Sequence, residues 1–476
     1  MEERSEMKMK ERIWEENKKI WRVGFPAMLA RVTQFGMLVV TQAFIGNLGE
    51  DQLAGYALIQ IISVRFANGI LVGMSSATET LCGQAFGAKQ QHMMGMYLQK
   101  SWIINFITAT LLLPVFIFSS KIFQALGQET QVSEIAGYIS YWFIPVLYSF
   151  CFTFSVQKFL QTQMKNLVVG WLSAASFVVH VFLSWILVSV LGWGIPGAMT
   201  SMIISNWFIL VGMLVYVFGG WCPLSWTGFS SAAFSDLFPI LKLSISSGVM
   251  LCLEFWYNAV LVVLAGYMKN ATTLVSAMSI CLNVTAWEFM FCFAFLVASS
   301  VRVSNELGRG DAKAAKFAIK VIISISISVG IVFFILCLAL DKQIARIFTN
   351  VETVIQAVSK LSVLLAFSVL LNSFQTVLTG VAVGAGRQSM VAYINITSYY
   401  IVGVPLGVVL GYVANLQIQG IWIGMIVGVV MQVSILGYIT STTDWDQQVK
   451  RASDRLGRFM ITSNDENSQR ERLLIS

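Results

Sequence analysis

The chain has 476 residues, of which 57% are hydrophobic and only 12% charged, with a formal net charge of +7. Ordinary soluble domains carry roughly 25% charged residues. Half that supply cannot cover a globule of this size, which excludes a soluble enzyme or nucleic-acid-binding module and points to a polytopic helical membrane protein. The apolar runs are continuous rather than alternating, so a β-barrel is excluded as well.

The first 22 residues, MEERSEMKMKERIWEENKKIWR, mix both charge signs and have no apolar core, so no secretory signal is expected. Apolar segments long enough to cross a bilayer follow at roughly 22–46, 53–80, 98–118, 135–157, 167–191, 197–219, 240–267, 272–300, 317–340, 354–383, 390–412 and 418–441, twelve in all. With the N-terminus in the cytosol, 24 Lys and Arg fall in cytosolic segments and five on the opposite side. That bias places both termini in the cytosol. The predicted organisation is a cytosolic tail (1–21), an N-lobe of six spans (22–219), a cytosolic linker (220–239), a C-lobe of six spans (240–441) and a cytosolic tail (442–476). The linker contains GGWCPLSWTGFSS, rich in turn-forming residues.

The halves echo each other. GQAFGAK (83–89) after the second span parallels NELGRGDAK (305–313) after the eighth, about 221 residues on. QKFLQTQM (157–164) parallels QTVLTGVA (375–382), and GIPGAM (194–199) parallels QGIWIG (419–424). Six spans per half is an even number, so the repeat is parallel, an arrangement many transporters use. Glycines at 403, 407 and 411 and at 420, 424 and 428 form four-residue ladders suited to close helix packing.

The costly residues come next. In the seventh span, LCLEFWYNAVLVVLAG (251–266) holds Glu254 amid apolar neighbours. A charge at the bilayer centre costs at least ~2.5–3.5 kcal/mol on insertion scales, so Glu254 is read as a proton-carrying group. Tyr257 and Asn258 share its helix face at i+3 and i+4. Gln375, Thr376 and Thr379 form a polar face with Asn372 on the tenth span, and Gln34 and Thr41 one with Arg31 on the first. Asn283 and Trp287 pair on the eighth, with Glu288 just off that face. These residues are expected to line a wet cavity or to bond helix to helix, because none can face lipid without loss. Asn372 or Tyr257 could steady Glu254 by hydrogen bonding. Arg65, in ISVRFANGI (62–70), is read either as half of an ion pair, with Glu254 or Glu288 as partner, or as a site for an anionic substrate group. Glu79 is expected to cap the end of the second span.

The seven cysteines form no CxxC and the two histidines no cluster, so neither a metal nor any other cofactor is expected. No nucleophile–base or HExxH signature suggests an enzyme. The sequon at Asn270 lies too near the membrane for a glycan, and the terminal ERLLIS lacks the acidic residue of a dileucine signal.

SSATETLCGQAFGAKQ (75–90), SVRVSNELGRGDAKAAKF (300–317), VLTGVAVGAG (377–386) and AYINITSYYIVGVPLG (392–407) resemble the multidrug and toxic compound extrusion (MATE) family, most of all its plant DETOXIFICATION branch. The resemblance implies two six-helix lobes around a central cavity and export of organic solutes against inward proton flow. Organic cations, alkaloids, flavonoids and xenobiotics are the implied substrates, and the vacuolar or plasma membrane the implied site. It places Thr41 where bacterial members often carry an Asp, and Asn372 where plant relatives often carry one. Glu254, Asn372 and Glu288 are the resulting proton-coupling candidates. Small solutes, protons and the bilayer are the expected partners of a monomer that binds no nucleic acid. An uncoupled channel or lipid flippase of the same architecture is the alternative.

Overall fold

The computed structural model describes residues 9–266 and 271–457. Helices dominate: among the described residues there is no strand. In chain order they are α1 (Met9–Gly46), α2 (Glu50–Leu58), α3 (Arg65–Gly87), α4 (His92–Ile117), α5 (Ser119–Ala125), α6 (Thr130–Thr162), α7 (Asn166–Ser184), α8 (Gly194–Tyr216) and α9 (Phe238–Gly266). There follow α10 (Ala271–Arg309), α11 (Ala312–Ala339), α12 (Asp341–Phe348), α13 (Glu352–Gly384), α14 (Gln388–Asn395), α15 (Val404–Val408) and α16 (Gln417–Thr442).

Eleven helices in the described residues are long and apolar enough to cross a membrane. The expected second span is the one left out of that set. It is helical from Glu50 to Gly87 but carries Glu50, Asp51, Arg65 and Glu79, and small or polar residues fill much of its length. Of these charges Glu79 is buried against Lys158, whereas Arg65 is exposed. The fold is therefore that of an all-α polytopic membrane protein.

Several spans contain a wider, π-type turn. Ile59–Val64 joins α2 to α3, and Ile396–Gly403 joins α14 to α15. Such turns insert one extra residue into the helical ladder and redirect the side chains around it, commonly at functional positions. The first lies directly before Arg65 and the second directly after Asn395.

The chain forms two compact units. Among the described residues, the N-unit is Phe25–Gly248 with Gly308–Gly310 and the stretch 450–457; the C-unit is Val249–Leu307 and Asp311–Val449 with the stretch 9–24. The interior of the N-unit is apolar around Met37, Met94, Leu98, Phe159 and Met213. In the same unit Gln99 holds the 220–239 connection through both amide ends, donating to the Gly228 carbonyl (2.9 Å) and accepting from the Ser230 amide (2.9 Å).

In the C-unit the glycine ladders mark a close crossing of backbones. A Cβ on Gly424 would lie 2.2 Å from the Gly407 nitrogen, and one on Gly403 would lie 2.3 Å from the Tyr257 hydroxyl. The ladder thus makes room for a tyrosine as well as for a backbone. Tyr257 fills that room, stacking on Tyr399 at 4.3 Å between ring centroids and donating to the Met425 carbonyl at 3.1 Å.

Candidate functional site: buried acids and the amides around them

Glu254 is half-buried on α9. Its Oε1 accepts a hydrogen bond from Asn395 Nδ2 at 3.3 Å. Asn395 Oδ1 accepts from Gln432 Nε2 at 2.7 Å. Gln432 Oε1 in turn accepts from the Tyr399 hydroxyl at 2.6 Å, and the Tyr399 oxygen accepts from Gln375 Nε2 at 2.7 Å. Four bonds therefore run in one direction, from Gln375 on α13 through Tyr399, Gln432 and Asn395 to the carboxylate on α9. Every group in the chain donates toward Glu254. The π-type turn at Ile396–Gly403 lets Asn395 and Tyr399 both meet the Gln432 amide, one at each end.

A second acid lies in the same unit. Glu288 on α10 is 2% exposed. Its Oε2 accepts from Asn372 Nδ2 at 3.0 Å and its Oε1 from the Cys292 thiol at 2.6 Å. Cys292 is also 3.6 Å from the Ser373 hydroxyl. Asn372 thus bonds to Glu288, not to Glu254 as the sequence suggested. Tyr257 bonds backbone rather than the acid.

The remaining expected residues are placed as follows. Thr376 and Thr379 are fully buried on α13, and Gln375 is half-buried. Asn283 is exposed and donates to the Ser279 carbonyl of its own helix at 2.9 Å, and Trp287 is 41% exposed. On the eighth span Asn283 and Trp287 are thus exposed, as residues lining a wet cavity would be, and Glu288 is buried. The Asn258 side chain, Asn270 and the ERLLIS terminus lie outside the described residues.

In the N-unit Gln34 is half-buried and Thr41 fully buried. The Thr41 hydroxyl donates to the Met37 carbonyl at 2.9 Å and lies 3.0 Å from His180 Nε2. Glu79, also without exposure, pairs with Lys158 of α6. This replaces the capping role expected for it. Arg65 is exposed, and among the described residues it forms no ion pair. Its suggested partners, Glu254 and Glu288, belong to the C-unit. Those acids bond to Asn395, Asn372 and Cys292 instead. The arginine that is fully paired is Arg302 of the C-unit, which donates to Glu16 at 2.6 and 3.0 Å and to Glu306 at 2.6 Å.

Sequence reasoning missed Asn395, Gln432, Tyr399, Cys292 and His180. Gln432 and His180 are lone polar residues in apolar stretches, and that isolation is the signal that could have found them; Asn395 and Tyr399 lie in the polar run YINITSYY (393–400), and Cys292 one turn after Glu288.

A multi-helix membrane protein that buries acids among amides has the construction of a carrier, and comparison with known proteins supplies the class. The MatE family model matches residues 26–186 and 247–409, and this chain belongs to that family of transporters. The second match starts 221 residues after the first (247 less 26), the spacing seen between the internal motifs. Over 98% of its length the chain is 48% identical to Protein DETOXIFICATION 24 of Arabidopsis thaliana, covering 93% of that protein. It is 50% identical to Protein DETOXIFICATION 20 of the same plant, with 98% of this chain and 95% of that one aligned. Among solved structures, the eukaryotic MATE transporter AtDTX14 matches with a TM-score of 0.86 at 29% identity, over 93% of this chain and 99% of that one. The Vibrio cholerae MATE transporter VcmN in its bent form shares the fold, with a TM-score of 0.79 at 17% identity over 92% of this chain and 98% of that one.

Proposed function

We propose that this protein is a proton-coupled antiporter that moves organic solutes out of the cytosol by alternating access, with Glu254 as the main proton site. The observation that carries the reading is the one-way hydrogen-bond chain that ends on Glu254. An acid whose neighbours all donate toward it is prepared for its unprotonated form. When it gains a proton it becomes a donor, and the Asn395 amide can turn its oxygen to accept that proton's hydrogen bond. Gln432 and Tyr399 can follow, because an amide rotated by half a turn exchanges donor for acceptor and a hydroxyl serves as either. The reversal ends at Gln375 on α13. Protonation on one helix thereby changes hydrogen bonds on three spans, which gives the carrier a way to sense its load.

In this reading the bulky solutes are organic cations, alkaloids, flavonoids and other secondary metabolites or xenobiotics, and Gln34, Arg65, Tyr257 and Gln375 are among the residues that shape their path. The excess of basic residues in the segments assigned to the cytosol supports placing both termini there; we read the protein as a monomer of the vacuolar or plasma membrane. The test is flux into proteoliposomes under an imposed pH gradient, over a panel of alkaloids and flavonoids. Glu254→Gln should keep expression and thermal stability while gradient-driven flux falls to background. Gradient-driven flux at the wild-type level in that variant would sink the proposal. Flux in the wild type that ignores the gradient would favour an uncoupled channel or flippase.

A further inference from the structure

We infer that Glu288, with Asn372 and Cys292, is a second proton-binding site, distinct from Glu254, so that each transport cycle moves two protons. The inference rests on the antiport reading above and adds its stoichiometry.

The geometry is that of a site built for a group that changes state. Glu288 is buried and, among the described residues, meets no cation. An ionised carboxylate without a counter-charge is costly in a low-dielectric interior, and a protein that wanted only helix-to-helix adhesion could place Gln there. Both carboxylate oxygens are nevertheless matched: Asn372 donates to one at 3.0 Å and the Cys292 thiol to the other at 2.6 Å. Both partners are ambivalent. The amide can present its oxygen instead of its nitrogen, and the thiol can accept weakly while donating to the Ser373 hydroxyl 3.6 Å away. The site can therefore satisfy Glu288 with or without a proton, with no large movement. Room for the Ser373 hydroxyl comes from Gly330 on α11, where a Cβ would lie 2.3 Å from that oxygen.

The titratable groups facing Glu288 are thiols: Cys292 on its own helix and Cys337 from α11. From α13 it meets Asn372, and Cys292 meets Ser373 there, neither of which titrates. Glu254 meets a different titratable group, the phenol of Tyr399, which in turn lies beside those of Tyr257 and Tyr400. The two acids share no hydrogen-bond partner, so each can load on its own. They do share an element. Asn372 serves Glu288 and Gln375 ends the chain from Glu254, and these residues stand three apart on α13. On a helix that spacing puts neighbours on one face. Helix α13 thus receives a signal from both acids.

Infrared difference spectroscopy of the purified full chain, stepped across neutral pH without any substrate, tests the site directly. The wild type should show two protonated-carboxyl bands that titrate in this range. Glu288→Gln should remove one and Glu254→Gln the other. Asn372→Ala, which keeps both acids, should move only the Glu288 band, and it decides the matter if Glu288→Gln fails to fold. A spectrum unchanged by Glu288→Gln, or a single band in the wild type, overturns the inference. Transport gives the second readout, with rhodamine 6G as the probe cation. In proteoliposomes at zero membrane potential, the steady-state accumulation ratio should rise a hundredfold per pH unit of gradient in the wild type and tenfold in Glu288→Gln. Equal slopes in the two proteins overturn the inference. Two bands present with no gradient dependence at all would refute the antiport reading while leaving the second site in place.

Discussion

Glu79 in the N-unit and Glu288 in the C-unit are equally removed from solvent, at 0% and 2% exposure. Their neighbours differ in kind. Glu79 faces the ammonium of Lys158. Glu288 faces an amide and a thiol. The C-unit holds acids of both kinds, since Arg302 there fixes Glu16 and Glu306 as Lys158 fixes Glu79. In the N-unit, Asn105 binds the hydroxyls of Ser75 (3.0 Å) and Ser155 (2.8 Å), and Thr41 meets His180, a lattice of groups that hold helices together. In the C-unit two amides, Asn395 and Asn372, donate to carboxylates. A buried acid beside a fixed cation makes a joint, because a proton on it would strand the cation. A buried acid among neutral, reversible donors makes a switch, because its partners can follow either state. Burial alone separates neither class; the charge of the partner does.

Four substitutions break or sharpen this contrast. The largest effect should come from Lys158→Met. Removing one member of a buried pair leaves the other uncompensated, at a cost of about 3–5 kcal/mol. The expected outcome is a marked fall in melting temperature and in yield, with no change in the pH profile of whatever protein survives. Glu288→Gln, judged by the same melt, should lose far less. A Lys158→Met protein as stable as the wild type would show that Glu79 is no joint.

Tyr399→Phe cuts the Glu254 chain at its middle while leaving the ring stacked on Tyr257. Two hydrogen bonds of about 1 kcal/mol each are at stake, so stability should fall modestly. The effect on coupling should be larger: flux per unit of gradient should drop several-fold, with solute binding retained. Retained coupling would mean that Glu254 does not report to α13 along this path.

Asn372→Asp places an acid where the amide now lies 3.0 Å from Glu288. Two carboxyls at that distance cannot both ionise and must share a proton, titrating as a pair. The variant should fold and transport, with a changed pH optimum. An unaltered pH profile would separate Asn372 from Glu288 in the working protein.

How much of this was legible in the sequence follows from what each inference needed. The spans needed only the length of apolar runs, and even the charged second span declared itself by position. Glu254 needed only its isolation in apolar surroundings. What the sequence leaves open is direction. Spacing of i and i+4 correctly set Asn283 and Trp287 on one face, but spacing carries no information about which face points inward. In the structure that face is exposed and Glu288, just off it, is buried. Pairing was illegible for the same reason: that Asn372 meets Glu288, and Asn395 meets Glu254, depends on which helices adjoin. The Arg65 case adds a lesson about charge. Counting acids suggested a partner for it, yet the structure matches its acids with amides, a thiol and other bases.

Arg65→Gln is the smallest and most selective of the four changes. A guanidinium keeps its charge at every physiological pH, so an exposed one within a span marks a place where anionic groups are welcome. With no ion pair to break among the described residues, the substitution should leave the melting temperature within error of the wild type. That outcome already separates Arg65 from Lys158. If solutes pass the residue, the variant should raise the KM for acidic solutes, spare neutral ones and favour cations. The measurement is the ratio of anionic to cationic flux at matched protein level, and a several-fold fall is expected. An unchanged ratio at unchanged stability would place Arg65 away from the solute path, where its charge is matched by lipid phosphate. A large loss of stability would mean that the arginine is a joint after all, and the contrast between paired and unpaired charges would have to be redrawn in the N-unit.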